Sequence, residues 1–484
     1  MMLFALSSAI LGILAFLPFG FFWLFGFVFL IPLFVFFIKE EKLWRLILGT
    51  FVFRLVLATG TVYFTFEPII WISSIFIFLG LPISVFAVKK IIKKTPFGQL
   101  GNRLLFILPI LWTLFDHLQA RYSLLPTYLM TAGNIFGSSP FAGLANFTGL
   151  LSLTFFAAVI NSVAALLIIG FLKEKQLILK FPKFKFYLPI IFILLFSLIA
   201  AWWISQSQLQ KNKIAYDNFT DFIRIAVVST RRNFSSPDFF QLKRELLGKK
   251  NNFDFLILPE DILDKSIISA NDAVGNSQDD SLYVIENLAK ELNKKTIATL
   301  DTVSGEKRYN SAVLFDENGN IADVYHKRRL TFMGEYWPFD WQPFYLNWLK
   351  KFNPESKNYA IFNPQKQYVK GEMKILSFDY NKKIQFASPI CLEIHYPNDL
   401  KKIKESGAKF LINPTSNRWI DIGANHFLYL TNNLRKIESI WLKTPIVSSG
   451  VIDSAGIFTP GGKINSDYFE SSDNYVLFIG EIRY

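Results

Sequence analysis

The chain opens on two apolar runs, MLFALSSAILGILAFLP at residues 2–18 and FFWLFGFVFLIPLFVFFI at residues 21–38. A helix needs roughly 20 apolar residues to cross the hydrocarbon core of a bilayer. Neither run contains a charged residue, and the Pro-Phe-Gly sequence around residue 19 is typical of a tight turn. The stretch therefore predicts two membrane helices at the start of the chain. Because the first run lacks the basic start of a signal peptide, we expect it to be retained.

Further apolar runs follow before residue 205, and together with the first two they predict a helical membrane bundle of about seven spans. They lie at 46–66, 69–88, 104–118, 148–172 and 187–204. From about residue 211 the chain has the mixed charge of an ordinary globular domain. We therefore predict a transmembrane helical domain at 1–205 and a second domain at 215–484.

The lysines and arginines of the first half indicate its orientation. They are concentrated in the loops 39–45, 89–103 and 173–186, whereas the connection 119–147 holds only Arg121. Basic loops stay in the cytoplasm, so about seven spans place the N-terminus inside and residues 211–484 outside. This clustering also accounts for much of the net charge of +13. The pattern favours a membrane protein and argues against a nucleic-acid-binding face.

Arg54 lies inside an apolar run. A charge at such a position costs roughly 2.5–3.5 kcal/mol on insertion scales. Either it faces protein, water or a lipid headgroup with a functional role, or its side chain extends to the nearest interface.

The second domain alternates strand-like and helix-like segments, which predicts a layered α/β fold. Strands are expected at 222–229, 253–259, 296–301, 309–316, 321–326, 373–379, 384–390, 408–413, 445–450 and 475–480, and helices at 237–248, 281–293, 397–406 and 424–442. The domain has neither a nucleotide-binding glycine motif nor the G-x-S-x-G of serine hydrolases. Its histidines are scattered, so we expect neither a metal site nor a cofactor.

Three predicted strands end in a residue suited to acyl transfer. The segments are FLILPE at 255–260, YHKRRL at 325–330 and ASPICLE at 387–393, which contribute Glu260, Lys327 and Cys391. Side chains at strand ends are held rigidly and remain open to substrate. A thiolate can attack a carbonyl, a carboxylate can take the thiol proton, and an ammonium can stabilise the oxyanion.

Each of these residues also has a structural interpretation. A lone cysteine after an apolar strand is usually a small buried hydrophobe. Lys327 belongs to a Lys-Arg-Arg run of the kind that faces solvent, and Glu260 follows a proline as a helix cap or turn residue does. The combination, rather than any one residue, favours the catalytic interpretation.

The three segments resemble the nitrilase superfamily, whose Glu-Lys-Cys triad occurs in these contexts and in this order. Within it the chain resembles the apolipoprotein N-acyltransferases, which have membrane spans followed by an exported nitrilase-like domain. The matching motifs are K-x-x-L at 327–330, G-E-x-x-P at 334–338, C-x-E at 391–393 and S-N-x-x-W at 416–419. Family members commonly have Asp after Ser-Asn, whereas this chain has Arg418.

The resemblance implies an αββα sandwich and a two-step reaction without a cofactor. Glu260 would be the general base, Lys327 the oxyanion stabiliser and Cys391 the nucleophile. The supporting residues would be Glu335, Glu393, Tyr336, Trp337 and Asn417. Cys391 would take an acyl chain from a phospholipid as a thioester. The chain would then pass to the amine of a diacylglyceryl-modified lipoprotein N-terminus.

The resemblance also implies a bacterial inner-membrane protein with its catalytic domain in the periplasm. Two other functions are compatible with the residues. One is a membrane-tethered amidase or nitrilase, in which water resolves the thioester. The other is a catalytically degenerate homologue that binds lipid.

Overall fold

The computed structural model divides the chain into two compact units. It describes residues 2–62, 68–93, 100–123, 128–175, 184–263, 278–332, 334–336, 367–420, 423–465 and 470–484. The first unit comprises Met1–Ile214, Ile420–Lys443 and Pro460–Gly462, and the second comprises the remainder. The division falls between Ile214 and Ala215 and assigns one later helix to the first unit. The continuous domains proposed from composition, 1–205 and 215–484, stay a prediction.

The first unit is helical. Its helices are α1 (Met2–Phe16), α2 (Ile31–Lys39), α3 (Leu43–Thr61), α4 (Pro68–Phe78), α5 (Gly80–Lys93), α6 (Leu100–Tyr122), α7 (Ala145–Thr148), α8 (Leu150–Lys175) and α9 (Phe184–Asp217), which ends in the second unit. Short 3-10 helices lie at Phe22–Phe27, Ala132–Ser138 and Ala142–Leu144. The core is rich in phenylalanine and centres on Trp112, whose ring contacts four phenylalanine rings edge-on.

Within the described residues, five helical stretches are long and apolar enough to cross a membrane. They are Phe22–Lys39, Leu43–Thr61, Ile72–Lys93, Leu150–Ile169 and Leu188–Asp217. The predicted count of about seven is therefore not confirmed. Helix α1 has only 15 residues. Helix α6 includes Arg103, Asp116 and Arg121, which reduce its hydropathy.

Arg54 faces protein. It is 1% exposed, and its guanidinium lies 4.4 Å from the centre of the Phe78 ring. It donates a hydrogen bond to Ser74 Oγ at 3.3 Å, and Ser74 donates to Gln119 Oε1 at 2.6 Å. The interpretation in which Arg54 extends to the interface is wrong, because these polar groups lie on neighbouring helices and hold it inside the unit.

The second unit is built on an 11-stranded mixed sheet and a separate hairpin. Its strands are β1 (Phe222–Thr230), β2 (Phe255–Glu260), β3 (Lys295–Ser304), β4 (Lys307–Phe315), β5 (Ile321–His326), β6 (Leu376–Tyr380), β7 (Lys382–Phe386), β8 (Leu411–Ser416), β9 (Ile446–Val451), β10 (Gly456–Phe458), β11 (Ile464–Asn465), β12 (Glu470–Ser471) and β13 (Tyr475–Arg483). Its helices are α10 (Ser236–Lys249), α11 (Gln278–Leu292) and α12 (Pro397–Glu405). Helix α13 (Ala424–Leu442) belongs to the first unit.

Two cores lie on opposite faces of the central strands. Alternation along β1 sends Ala226 and Val228 to one face and Ile225 and Val227 to the other. The first face packs against α10 and α11, and the second packs against apolar residues of β6 to β10. The predicted layered α/β fold and every predicted strand and helix of this domain are confirmed within a few residues.

Candidate active site

Glu260 ends β2 at a break in the strand ladder. Pro259 has no N–H to donate, and the register between β2 and β3 shifts between Ile257 and Glu260. The next residue, Asp261, has a φ of 55°, so the chain turns away sharply. Glu260 is 5% exposed, and its Oε1 accepts a hydrogen bond from Asn310 Nδ2 at 2.7 Å. Among the described residues its buried Oε2 has no hydrogen-bond partner.

Lys327 follows the end of β5 and is 1% exposed. Its Nζ lies 2.9 Å from Glu335 Oε1 and 3.6 Å from Glu260 Oε1. Asn310 also donates to Glu335 Oε1, at 2.7 Å. One ammonium and one amide are thus held between two carboxylates. Because the single ammonium lies close to both carboxylates and the neutral amide donates to both, their buried negative charge is partly compensated.

Cys391 begins a 3-10 turn, Cys391–His395, with a φ of 50°. This left-handed conformation costs a cysteine of order 1 kcal/mol or more, and residues held in it cluster at active sites. The preceding residues extend alongside β8 through a bridge between Ala387 and Leu411. Asn413 of β8 donates to Pro389 O at 2.7 Å and Cys391 O at 3.2 Å. The turn is therefore fixed from the neighbouring strand.

The charges of the site couple the three predicted catalytic residues. Burial raises the pKa of the Cys391 thiol well above its usual range, the charge of Glu260 raises it further, and Lys327 opposes the rise. Burial raises the pKa of Glu260 to about 7, although Lys327 acts in the opposite direction. Cys391 is therefore a neutral thiol at rest, near a carboxyl group that can exchange a proton at neutral pH.

Lys327 and Glu335 keep their charges. Burial disfavours the ammonium, but Glu260 and Glu335 raise the pKa of Lys327 well above its usual value. Burial also opposes ionisation of Glu335, but Lys327 and hydrogen bonds from Thr331 and Asn310 lower its pKa. Lys327 is therefore a permanent cation within electrostatic range of Cys391.

Glu393 joins the lysine loop to the cysteine turn. Its Oε1 accepts hydrogen bonds from the backbone N–H groups of Arg328 at 2.9 Å and Arg329 at 3.0 Å. Its Oε2 accepts from the N–H of Ile390 at 2.8 Å, and the Tyr325 hydroxyl donates to both oxygens. The contacts of this predicted supporting acid are with the protein backbone on both sides of the site.

The other predicted supporting residues lie around this cluster. Tyr336 is half-buried, and Lys370 Nζ lies 5.1 Å from the centre of its ring. Asn417 is buried and donates to Ile452 O at 3.1 Å, so it connects the end of β8 to the turn after β9. Trp337 lies outside the described residues.

Sequence reasoning missed Asn310, Tyr325 and Asn413. Asn310 bridges both carboxylates, Tyr325 supports Glu393, and Asn413 fixes the cysteine turn. Each is a polar side chain within or beside an apolar strand, which is a weak signal in a single sequence. Among the described residues, no group of three or more His, Cys, Asp and Glu side chains could hold a metal ion.

Two protein families match the chain in succession. The apolipoprotein N-acyltransferase N-terminal domain matches residues 8–163, and the carbon-nitrogen hydrolase family matches residues 266–438. The resemblance to the apolipoprotein N-acyltransferases is confirmed. The second match includes Lys327 and Cys391.

Two curated relatives carry the name apolipoprotein N-acyltransferase. One, apolipoprotein N-acyltransferase 2 of Treponema denticola, is 30% identical over 176 residues, which is 36% of this chain and 32% of that protein. The other, from Aquifex aeolicus, is 27% identical over 191 residues, which is 39% of each. The matched region thus spans about a third of the length of these apolipoprotein N-acyltransferases.

Two solved structures resemble about half of this chain at low identity. A carbon-nitrogen hydrolase from Helicobacter pylori is 15% identical, with 54% of this chain and 89% of that chain covered and a TM-score of 0.37. An amidase from Nesterenkonia is 12% identical, with 53% and 90% covered and a TM-score of 0.35. At TM-scores this low, neither likeness adds to the case for an apolipoprotein N-acyltransferase.

Proposed function

We propose that the chain is an apolipoprotein N-acyltransferase of a bacterial inner membrane, with its catalytic domain on the periplasmic side. It would move an acyl chain from a phospholipid to the N-terminal amine of a diacylglyceryl-modified lipoprotein. The observation that carries this proposal is the unpartnered, buried Oε2 of Glu260. A free carboxylate oxygen is what a general base needs beside a neutral thiol and a permanent ammonium.

The first half-reaction forms a thioester. Glu260 takes the proton of the Cys391 thiol as Sγ attacks the ester carbonyl of the phospholipid. Lys327 Nζ stabilises the oxyanion of the tetrahedral intermediate. When the intermediate collapses, the carbon–oxygen bond breaks and Glu260 returns the proton to the departing alkoxide. The products are the acylated Cys391 and a lysophospholipid.

The second half-reaction forms the amide. The free α-amine of the lipoprotein attacks the thioester carbonyl, and Glu260 takes a proton from the attacking nitrogen. Sγ then leaves as a thiolate and recovers that proton from Glu260, so the thiol is regenerated. The step is favourable because a thiolate is a better leaving group than the amine.

The membrane setting is supported by the apolar helices of the first unit. Both substrates of the proposed reaction are lipids, so a catalytic domain on a membrane anchor meets them where they reside. The basic loops of the first half support a location of the second unit on the outer side of the inner membrane.

The proposal is tested with purified full-length protein in phospholipid vesicles and a synthetic diacylglyceryl-cysteine peptide. We expect acylated peptide and lysophospholipid in equal amounts, and neither from Cys391→Ala. Lys401→Gln on the exposed side of α12 is the control and should transfer normally. Free fatty acid without acylated peptide would point instead to hydrolysis by an amidase-like enzyme. Full transfer by Cys391→Ala would contradict the mechanism.

A further inference from the structure

Arg418 follows the end of β8, the strand whose Asn413 donates a hydrogen bond to Cys391 O at 3.2 Å. The backbone N–H of Ser416, the last residue of this strand, acts on the Cys391 thiol and partly lowers its pKa. Two residues of extended chain span at most about 7 Å. Arg418 follows Ser416 by two residues, so its long side chain starts within reach of the reacting atoms.

The Arg418 guanidinium is incompletely paired within the described part of the chain. Among the described residues its guanidinium forms no ion pair, and its buried Nε has no hydrogen-bond acceptor. Asp261 interacts electrostatically with Arg418, and its side chain forms a hydrogen bond with Ser416. A buried guanidinium N–H without an acceptor is costly unless a ligand completes it.

The other arginines around the site are already paired. Arg328 Nη2 lies 2.9 Å from Asp399 Oδ1, and Arg329 Nε lies 2.6 Å from Asp399 Oδ2. Arg308 forms an ion pair with Asp301. Arg418 is therefore the arginine of this group that can receive an anion from a substrate.

We propose that Arg418 binds the phosphate of the acyl donor and so determines selectivity for a phosphodiester lipid. This rests on the proposed function, which makes a phospholipid the donor. Only a glycerol backbone separates the ester carbonyl of such a lipid from its phosphorus. The planar guanidinium matches two phosphate oxygens at once, and hydrogen bonds of this charged type are the strong ones.

The test measures equilibrium binding to full-length Cys391→Ala protein, so that no turnover is needed. The probes are a short-chain dialkyl glycerophosphoglycerol, whose ether bonds cannot be cleaved, and the dialkylglycerol that lacks its phosphate. We expect Arg418→Gln to weaken binding of the phosphate probe relative to the phosphate-free probe by roughly tenfold to a hundredfold. Arg418→Lys keeps the positive charge but cannot form two parallel hydrogen bonds to the phosphate. It should therefore lose less affinity for the phosphate probe than Arg418→Gln.

A structural role for Arg418 gives a different result. If Arg418 only balances Asp261, the double variant Asp261→Asn with Arg418→Gln recovers the affinity for the phosphate probe. If Arg418 binds phosphate, the double variant stays weaker than Asp261→Asn alone. Recovery in the double variant, or an unchanged affinity ratio in both Arg418→Gln and Arg418→Lys, would overturn the inference. Since binding is read without a thioester, a failure of the proposed transfer reaction is seen separately, as absence of acylated Cys391.

Discussion

The protonation states of Cys391 and Glu260 explain how the site can be inert at rest and reactive with substrate. Burial keeps the thiol neutral, and the same burial raises the pKa of Glu260 to about 7. A resting thiolate, as in cysteine enzymes with a lowered thiol pKa, is not what these surroundings favour. In the proposed mechanism the proton moves from Cys391 to Glu260 during the attack, so the ionised form of Glu260 is the reactive one.

The rate of Cys391 acylation should therefore depend on pH through Glu260. A base acts only when ionised, so the rate should fall as the pH falls through about 7 and reach a plateau above it. Stopped reactions with a fatty-acyl nitrophenyl ester between about pH 5.5 and 8.5 measure this profile. A rate that does not change over this range would show that Glu260 is not the base.

Asn310 tunes this base. Its amide donates to both Glu260 and Glu335, and its hydrogen bond to Glu260 lowers the pKa of that residue. Asn310→Ala should slow acylation by roughly tenfold or more, because bonds to charged groups contribute about 1.5–3 kcal/mol each. It should also move the acidic limb of the pH profile to higher pH.

A matched asparagine separates this effect from a general loss of stability. Asn320→Ala removes an amide whose hydrogen-bond partner among the described residues is Asp316, in the exposed turn between β4 and β5. We expect its pH profile to match the unaltered protein. If the acidic limb of the pH profile did not shift in Asn310→Ala, the result would contradict the proposed role of Asn310.

At the scale of elements, the site depends on two loops held together by one carboxylate. Glu393 accepts hydrogen bonds from backbone N–H groups of both the lysine loop and the cysteine turn, and from the Tyr325 hydroxyl. The sequence predicted that Glu393 would support the site, because it completes the C-x-E motif. Its partners Tyr325, Arg328 and Arg329 could not be predicted, since they lie 64 to 68 residues earlier in the chain.

Glu393→Ala should destabilise the second unit by at least about 3 kcal/mol, because it leaves several buried donors without an acceptor. Denaturant unfolding followed by tyrosine and tryptophan fluorescence measures the change. Glu405→Ala provides the control, since this exposed residue of α12 forms only a 3.8 Å pair with Lys401. The control should lose less than about 1 kcal/mol. Equal losses in the two variants would mean that Glu393 does not hold the loops together.

For helix α13, the sequence predicts the helix but not the residues that it packs against. Its residues were predicted as a helix at 424–442, and the structure has a helix at Ala424–Leu442. The apolar face predicts burial but not the partner. In the structure this helix packs with the first unit, where His426 Nε2 lies 2.9 Å from Phe16 O and Asn134 donates to Leu430 O. Such contacts join residues hundreds of positions apart, which no local pattern encodes.

At the scale of the whole molecule, the α/β class of the second domain could be read from the sequence, whereas the catalytic roles of its residues stay a prediction. Apolar strands ending in Glu260, Lys327 and Cys391 carry a strong local signal. The number of spans could not be read reliably. Counting apolar residues does not decide whether a run of borderline length such as α1 crosses the membrane. The same holds for α6, which includes polar and charged residues.

The orientation of the molecule can be tested with its own sequence. Cys391 is the only cysteine, so Cys391→Ser gives a cysteine-free background. In this background, a cysteine replacing exposed Lys404 should react with a membrane-impermeant maleimide in intact cells. A cysteine replacing Lys42, in the first basic loop, should react only after permeabilisation. The reverse pattern would contradict the proposed periplasmic location of the second unit.

The most direct measurement of the central claim is the mass of the peptide containing Cys391 after the purified protein is incubated with phospholipid of a single acyl composition. The account predicts a mass gain equal to that acyl chain, removed by hydroxylamine as thioesters are, and absent in Glu260→Gln. An unmodified Cys391 in folded, lipid-bound protein would contradict the claim that this residue carries the acyl chain.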